Sequence, residues 1–160
     1  MSQTQKQKDL LLGNYFERML VGYLNSLEVY KRDPFKLSPF QYNIFDLKNK
    51  KITAELKTRR VSKERYPDTM IGHNKICRAL CDTTDMEYQF FFIFTDGLYV
   101  WDFHPDEYSV RKGGRTDRGK DEIKDYAFIP TEFLRLLTTE IKSVSQVSHH
   151  AHSTSEISIS

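Results

Sequence analysis

The longest apolar run of the chain, FFFIF at residues 90–94, is the feature that most constrains its fold. Apolar and polar side chains do not alternate in this run, so a strand built from it must be covered on both faces. The surrounding stretch, YQFFFIFTDGLYVWDF at 88–103, predicts two neighbouring strands joined by a Thr-Asp-Gly turn. A strand that is buried on both faces is typical of the central sheet of an α/β protein, in which helices flank the sheet.

Two helices are predicted before this run. Residues 9–30 place apolar side chains three and four positions apart, which is the spacing of an amphipathic helix. Glu17 lies at the edge of that apolar stripe, where a carboxylate can face a cleft. A second helix is predicted from about Thr69 to Cys81, with Asp68 as its N-cap. The residues expected on its inner face are Ile71, Ile76, Ala79 and Leu80.

The segment between the two helices predicts a hairpin. Residues 41–60, QYNIFDLKNKKITAELKTRR, contain two strand-like stretches around a tight Lys-Asn-Lys turn. Alternate residues of a strand point to one face, so Asp46 is expected to share a face with Tyr42. For the same reason Glu55 and Lys57 are expected to project together from the second strand.

The remaining segments complete a single domain. FKLSPF at 35–40 and DYAFIP at 125–130 each predict a short strand, and TEFLRLLTTEIK at 131–142 predicts a helix. The remainder, 143–160, is rich in serine and is interpreted as a disordered tail. A chain of 160 residues with 39% hydrophobic content suits one core, so residues 1–142 are expected to form one domain.

Charge and cysteine content limit the partners and the compartment. A net charge of only +2 excludes a global basic field, so contacts to nucleic acid must come from local clusters. Cys77 and Cys81 lack the paired partners of a zinc site and are interpreted as buried thiols in a reducing, cytoplasmic or nuclear compartment. The polar start, MSQTQKQK, has no apolar region of a secretory signal, and no apolar run can span a bilayer. We therefore expect neither secretion nor membrane insertion.

Asp46, Glu55 and Lys57 are the candidate chemical residues. Two carboxylates that converge on one point repel each other unless a cation lies between them. Mg²⁺ suits such a site because it prefers oxygen ligands, and the backbone carbonyl of Leu56 can add one. Lys57 would then lie beside a metal-bound water, which it could orient for attack on a phosphodiester.

The pattern Asp46…Glu55-Leu56-Lys57 resembles the PD-(D/E)XK nuclease superfamily, although Phe45 stands where the name has a proline. The order of helix, strands, helix and buried strand over residues 9–103 is similar to the common core of that superfamily. The resemblance implies a restriction-endonuclease-like α/β core, with a mixed central β-sheet flanked by helices over residues 1–142. It also implies Mg²⁺-dependent hydrolysis of DNA, with Mn²⁺ as a substitute. In the resolvase-like and exonuclease-like branches an acid on the first helix joins the metal site, and Glu17 is the matching residue.

Basic residues are the candidate contacts to DNA phosphates. They surround the motif and recur in a loop that Gly113 and Gly114 interrupt, and Lys75 follows on the second helix, where the superfamily often places a basic residue near the scissile phosphate. These candidates are Arg59, Arg60, Lys63, Lys75, Arg111, Lys112 and Arg115.

Other interpretations stay open at this stage. Glu55 and Lys57 could form a solvated ion pair on a hairpin face, which is worth about 0–1 kcal/mol. A nuclease fold without catalysis could bind nucleic acid or protein. Within the nuclease interpretation, a role in repair, recombination or degradation and a homodimer are all compatible with the sequence.

Overall fold

The structure, a computed structural model, describes residues 4–39, 44–114 and 123–145. These residues contain two α-helices and nine strands. In chain order they are α1 (Gln5–Ser26), β1 (Lys36–Leu37), β2 (Leu47–Lys48), β3 (Ile52–Thr58), β4 (Asp68–Gly72), α2 (His73–Cys81), β5 (Glu87–Phe94), β6 (Gly97–Asp102), β7 (Ser109–Gly113), β8 (Lys124–Pro130) and β9 (Arg135–Thr138). Neither helix in these ranges combines the length and the apolar content that a membrane-spanning helix requires.

The central sheet has six strands in the order β1-β2-β3-β5-β6-β9. β3 and β5 are parallel and the other neighbours are antiparallel, so the sheet is mixed. Along β5, Phe91 and Ile93 belong to one core, whereas Phe90, Phe92 and Phe94 belong to a second core on the opposite face. The α/β fold with a mixed central sheet and a strand covered on both faces is therefore confirmed.

Helix α1 covers one face of this sheet. Its spacing of apolar residues brings Phe16, Leu20 and Leu24 to one side, where they are buried. They share a core with Ala54 and Leu56 of β3. Because side chains alternate along a strand, Glu55 and Lys57 consequently point to the opposite face of the sheet.

A second sheet and α2 cover that opposite face. β4, β8 and β7 form a three-stranded antiparallel sheet in the order β4-β8-β7. Ile71 of β4 and Ile129 of β8 pack with Ile76 of α2 against Phe90 and Trp101 of the central sheet. Glu55 thus faces the space between the central sheet and this second layer.

The predicted start of the second helix is wrong. Residues from Asp68 to Gly72 form β4 instead, because they pair with β8 in a ladder that leaves Thr69 and Ile71 buried. The helix begins only at His73, its N-cap is Gly72 and not Asp68, and Leu80, expected on the inner face, is exposed.

The predicted C-terminal helix is also wrong. Thr131–Phe133 make a single 3-10 turn, and Arg135–Thr138 form β9 along β6. The tail interpretation fails at its first residue, because Ser143 is buried and its N–H donates to the carbonyl of Phe94 over 2.9 Å. Residues 146–160 lie outside the described ranges.

The hairpin is present but shorter than predicted. β2 contains only Leu47 and Lys48, and its partner residues on β3 are Ala54 and Thr53. The chain bends at residues 44–46, and residues 40–43, including Tyr42, lie outside the described ranges. Asn49 stabilises the turn, since its Oδ1 accepts hydrogen bonds from two backbone N–H groups that follow it.

The two cysteines are free thiols, but they are exposed, so the prediction that they are buried is wrong. Helix α2 is short, and only Ile76 and Ala79 of its nine residues are buried. Cys77 and Cys81 therefore lie on the solvent side of the helix.

Candidate active site

Asp46 is bound to the strand that carries Glu55. Its backbone N–H donates to the carbonyl of Ala54 over 3.1 Å, and its Oδ2 accepts from the N–H of Leu56 over 2.8 Å. The carboxylate thus continues the hydrogen-bond ladder of β3 beyond the short strand β2. The N–H and C=O of one strand residue point to the same side, so the carbonyl of Leu56 also points to this edge.

Glu55 is a buried carboxylate between two ammonium groups. Its side chain is only 4% exposed, Lys57 Nζ lies 3.2 Å from Oε1, and Lys75 Nζ lies 3.2 Å from Oε2. The interpretation as a solvated ion pair on a hairpin face is therefore wrong for Glu55. Lys57 is the more accessible of the two lysines, with 36% of its side chain exposed against 15% for Lys75.

The environment of Glu55 opposes its negative charge. Burial raises the pKa of the Glu55 carboxyl, and repulsion from Asp46 raises it further, while Lys57 and Lys75 lower it. Its Oε2 accepts no hydrogen bond from the part of the chain that the structure describes, since Lys75 approaches outside hydrogen-bond geometry. A buried acceptor without a hydrogen bond is costly and uncommon in a folded protein.

Glu17 of α1 joins this cluster as a third carboxylate. Burial raises its pKa to about 7, together with repulsion from Asp46, a hydrogen bond with Asp46 and repulsion from Glu55; Lys57 lowers the pKa in part. The helix that covers one face of the sheet thereby brings an acid to the edge where Asp46 is bound.

The donor chemistry of the cluster fits a hard divalent cation. Three carboxylates and one strand carbonyl are the oxygen ligands that Mg²⁺ prefers, and Glu55 Oε2 is an unsatisfied acceptor among them. Across the described ranges, however, no three acidic, histidine or cysteine side chains are arranged closely enough to hold a metal ion. The ammonium groups of Lys57 and Lys75 supply the positive charge at Glu55.

The sequence predicts Lys75 near the scissile phosphate as a contact to DNA, but it does not predict the ion pair of Lys75 with Glu55 or the contact with Phe45. Helix α2 brings Lys75 to Glu55 and over the ring of Phe45, 5.2 Å from the centroid. Phe45 occupies the position of the motif proline. Its large apolar side chain beside Asp46 is the one feature of the sequence that indicates packing against the site. The start of α2 was predicted too early for the position of Lys75 to be inferred.

The other basic candidates have partners within the protein. Arg59 donates from Nε to Thr69 Oγ1 over 3.3 Å and from Nη2 to the carbonyl of Met70, and burial lowers its pKa to about 10. Lys63 Nζ lies 3.1 Å from a carboxylate oxygen of Glu64. Their predicted role in binding DNA stays a prediction.

The same holds for the remaining cations. Arg60 lies 3.7 Å from Asp9, Arg111 lies 2.5 Å from Asp68, and Lys112 lies 3.0 Å from Asp125. All three pairs are at least partly exposed, and ion pairs in contact with solvent contribute little to stability. Arg115 lies outside the described ranges.

Comparison with known families gives a match over most of the chain. A family model described as "Phage putative PDDEXK endonuclease" matches residues 17–134, which is well over half of the chain. The matched segment begins at Glu17 and contains Asp46, Glu55, Lys57 and Lys75. Searches among curated proteins and among solved structures returned no match.

Proposed function

Because the chain belongs to the phage PDDEXK endonuclease family, we propose that it is a metal-dependent nuclease that hydrolyses phosphodiester bonds of DNA. The observation that carries this proposal is the hydrogen bond from the N–H of Leu56 to Asp46 Oδ2, 2.8 Å long. It fixes one acid of the motif beside the strand segment that carries the other acid and the lysine. A role in repair, recombination or degradation of DNA is part of the proposal.

Asp46 and Glu55 are proposed to hold Mg²⁺, with Mn²⁺ as a substitute. Glu17 and the carbonyl of Leu56 would contribute further oxygen ligands, directly or through water. When bound, such a cation offsets the charge of the phosphate and lowers the pKa of a bound water. The buried Oε2 of Glu55 supports this assignment, since it accepts no hydrogen bond from the described residues and its charge is offset by the ammonium of Lys75, which a cation could replace.

Lys57 is proposed to orient the attacking water. Its ammonium can donate hydrogen bonds to the water and to a phosphate oxygen once the cation neutralises Glu55 in its place. Lys75 would remain at the back of the site and offset charge on the phosphate. The water oxygen would bond to phosphorus in line with the P–O bond that breaks. One water proton would pass to solvent, and the leaving oxygen, on the strand end released by the break, would take up a proton from solvent.

Local basic side chains are proposed to bind the DNA backbone. Arg60, Lys63 and Lys112 are candidates, because each is near the surface and can exchange its carboxylate partner for a phosphate. Contacts of this kind predict binding that weakens steeply as the salt concentration rises and depends little on sequence.

A second function is supported by a specific observation. Both carboxylate oxygens of Glu55 face ammonium groups, and the described residues contain no preformed metal cage. A nuclease fold that binds nucleic acid without cleaving it would have the same appearance. The two functions differ in whether divalent cations produce cleavage.

The test is a cleavage assay on linear, nicked, single-stranded, flapped and four-way DNA, with Mg²⁺, Mn²⁺ or EDTA, beside a gel-shift assay. We expect cleavage that EDTA abolishes and that Glu55→Gln lacks. Binding without cleavage under every condition would instead favour the second function. The mass of the protein in solution, measured with and without four-way DNA, distinguishes a monomer from the homodimer that a resolvase requires.

A further inference from the structure

A cavity of about 390 Å³ lies beside the candidate active site. Arg59 lines it and follows Lys57 by two residues, so its side chain leaves the chain on the same face of the sheet. The ladder with β5 continues to this point, because the N–H of Arg59 donates to the carbonyl of Ile93 over 2.8 Å. Two residues of a strand span about 6.5–7 Å, so Arg59, which lines the cavity, leaves the backbone about one nucleotide-sized step from Lys57.

The walls of the cavity are mainly apolar and aromatic. The side chains that form them come from the loop after β3, from β4, from the end of β5 and from β8. These wall residues are Val61, Tyr66, Met70, Phe94 and Phe128. The volume falls in the range of roughly 300–1,000 Å³ that is usual for small-molecule sites, which are likewise apolar with a few polar groups. The shape and lining therefore suit a flat, partly apolar ligand.

Cations outnumber carboxylates around the cavity. Arg59 and Lys63 line it, together with the carboxylate of Asp68, which pairs with Arg111. The guanidinium of Arg111 lies 3.9 Å from the ring centroid of Phe128, and that of Arg65 lies 5.5 Å from the ring centroid of Tyr66. Tyr66 is 53% exposed, so one part of its ring is available for stacking. Aromatic rings among cations are the arrangement with which proteins hold single-stranded nucleic acid.

We propose that this cavity receives one unpaired base of the strand being cut, so that the substrate is DNA with a single-stranded segment. A paired base is stacked on both faces within the duplex and does not reach such a cavity without leaving the helix. An apolar side chain of a partner protein fits the walls but offers no charge to the exposed Arg65 over Tyr66. A nucleotide supplies both a ring and a phosphate, and the phosphate can also replace the carboxylate partners of Lys63 and Arg111. The inference rests on the proposed nuclease function, since it names the substrate of that site.

The test measures binding by fluorescence anisotropy in EDTA, where no cleavage occurs. The probes are a labelled DNA duplex, the same duplex with a short single-stranded gap, and the gapped duplex with abasic positions in the gap. The proteins are the full chain, Tyr66→Ala, which removes the exposed ring, and Ser62→Trp, which fills the cavity. Tyr15→Ala is the matched control, because Tyr15 is 56% exposed on α1 and lies outside the cavity lining.

We expect the gapped duplex to bind more tightly than the paired one, and the abasic gap to lose that advantage. Tyr66→Ala and Ser62→Trp should each weaken binding of the gapped duplex by about 5- to 150-fold. Tyr15→Ala should bind as the wild type does. Equal affinity for paired, gapped and abasic DNA, or unchanged binding by both cavity variants, would overturn the inference.

Cleavage of the same probes with Mg²⁺ separates the two proposals. Metal-dependent cutting without any dependence on the unpaired base refutes the cavity assignment and leaves the nuclease intact. Base-dependent binding that both cavity variants weaken, without cutting of any probe, supports the cavity and refutes the nuclease.

Discussion

The N–H of Leu56 donates to Oδ2 of Asp46 over 2.8 Å, so the strand that carries Glu55 and Lys57 also orients the first acid of the motif. Asp46 therefore has two separable properties, a hydrogen-bond acceptor for the backbone and a negative charge beside Glu17 and Glu55. Substitutions can remove one property without the other.

Asp46→Asn is expected to abolish cleavage while leaving the free energy of unfolding at least as high as in the wild type. Asparagine keeps an oxygen for the Leu56 N–H but removes the charge that repels Glu17 and Glu55. Asp46→Ala is expected to lose about 1–3 kcal/mol of stability, because the N–H of Leu56 loses its partner. Urea unfolding and cleavage assays measure the two effects, and an Asp46→Asn variant that still cuts DNA would contradict the role of the charge.

Lys57→Ala is expected to reduce Mg²⁺-dependent cleavage on the order of 100-fold or more, which is the usual effect of losing one preorganised hydrogen-bond donor. The fold should persist, because Lys75 still compensates the charge of Glu55. Lys48→Ala is the control: Lys48 is an exposed lysine of β2, and its loss makes the same change in net charge. Circular dichroism checks the fold, and undiminished cutting by Lys57→Ala rules out the proposed mechanism.

The stability of the metal-free protein is expected to fall as the pH rises from about 4.5 to about 7, because of Glu17. The folded state raises the pKa of Glu17 from 4.5 to about 7, so the folded chain binds a proton more tightly than the unfolded chain does. Below about 4.5 the side chain is protonated in both states, and above about 7 it is ionised in both. The contribution of Glu17 to stability is thus greatest at low pH and is lost as the pH passes through this interval.

Glu17→Gln removes this contribution to the pH dependence. Thermal unfolding in EDTA across the interval should show the wild type losing stability relative to the variant as the pH increases. Glu28→Gln, which changes an exposed glutamate after α1, is the control and should follow the wild type. Parallel curves for the wild type and Glu17→Gln would show that Glu17 is not in the environment described.

Local sequence pattern predicted those parts of the fold in which local and tertiary preferences agree. The run at residues 90–94 has no polar side chain, so a strand buried on both faces was the consistent solution, and β5 is that strand. TEFLRLLTTEIK has a helix-like spacing, but β6 offers unpaired backbone groups beside it, and Arg135–Thr138 pair with them as β9. Tertiary pairing overrides local propensity there, and a single sequence carries no signal of it.

The candidate site was predictable to the same extent. Glu55 and Lys57 share a strand face by alternation alone, so their proximity follows from the sequence. The hydrogen bond between Asp46 and Leu56 is not predictable from the sequence. It forms because β2 contains only two residues, so the Asp46 carboxylate, and not a backbone carbonyl, accepts from the N–H of Leu56. The contact of Lys75 with Glu55 depends on where α2 begins and how it packs, and neither is encoded in the neighbouring residues.

Lys75→Met is expected to have opposite effects on metal affinity and on DNA cleavage. Methionine keeps an aliphatic chain over Phe45 but removes the ammonium 3.2 Å from Glu55 Oε2, so the site becomes more negative. Binding of Mn²⁺, measured by calorimetry, should tighten by at least about 1 kcal/mol, or fivefold. Cleavage should weaken through a higher KM, because the phosphate loses a positive charge.

Lys63→Met is the matched control for metal affinity, since Lys63 also lies over an aromatic ring, that of Tyr99, and pairs with a glutamate. It should leave Mn²⁺ binding unchanged, because its ammonium pairs with Glu64 and not with the carboxylate cluster. Weaker Mn²⁺ binding by Lys75→Met would mean that the lysine supports the packing of α2 and does not compete with the cation for Glu55. The sign of this one change in affinity therefore decides whether Lys75 competes with the cation for Glu55 or supports the packing of α2.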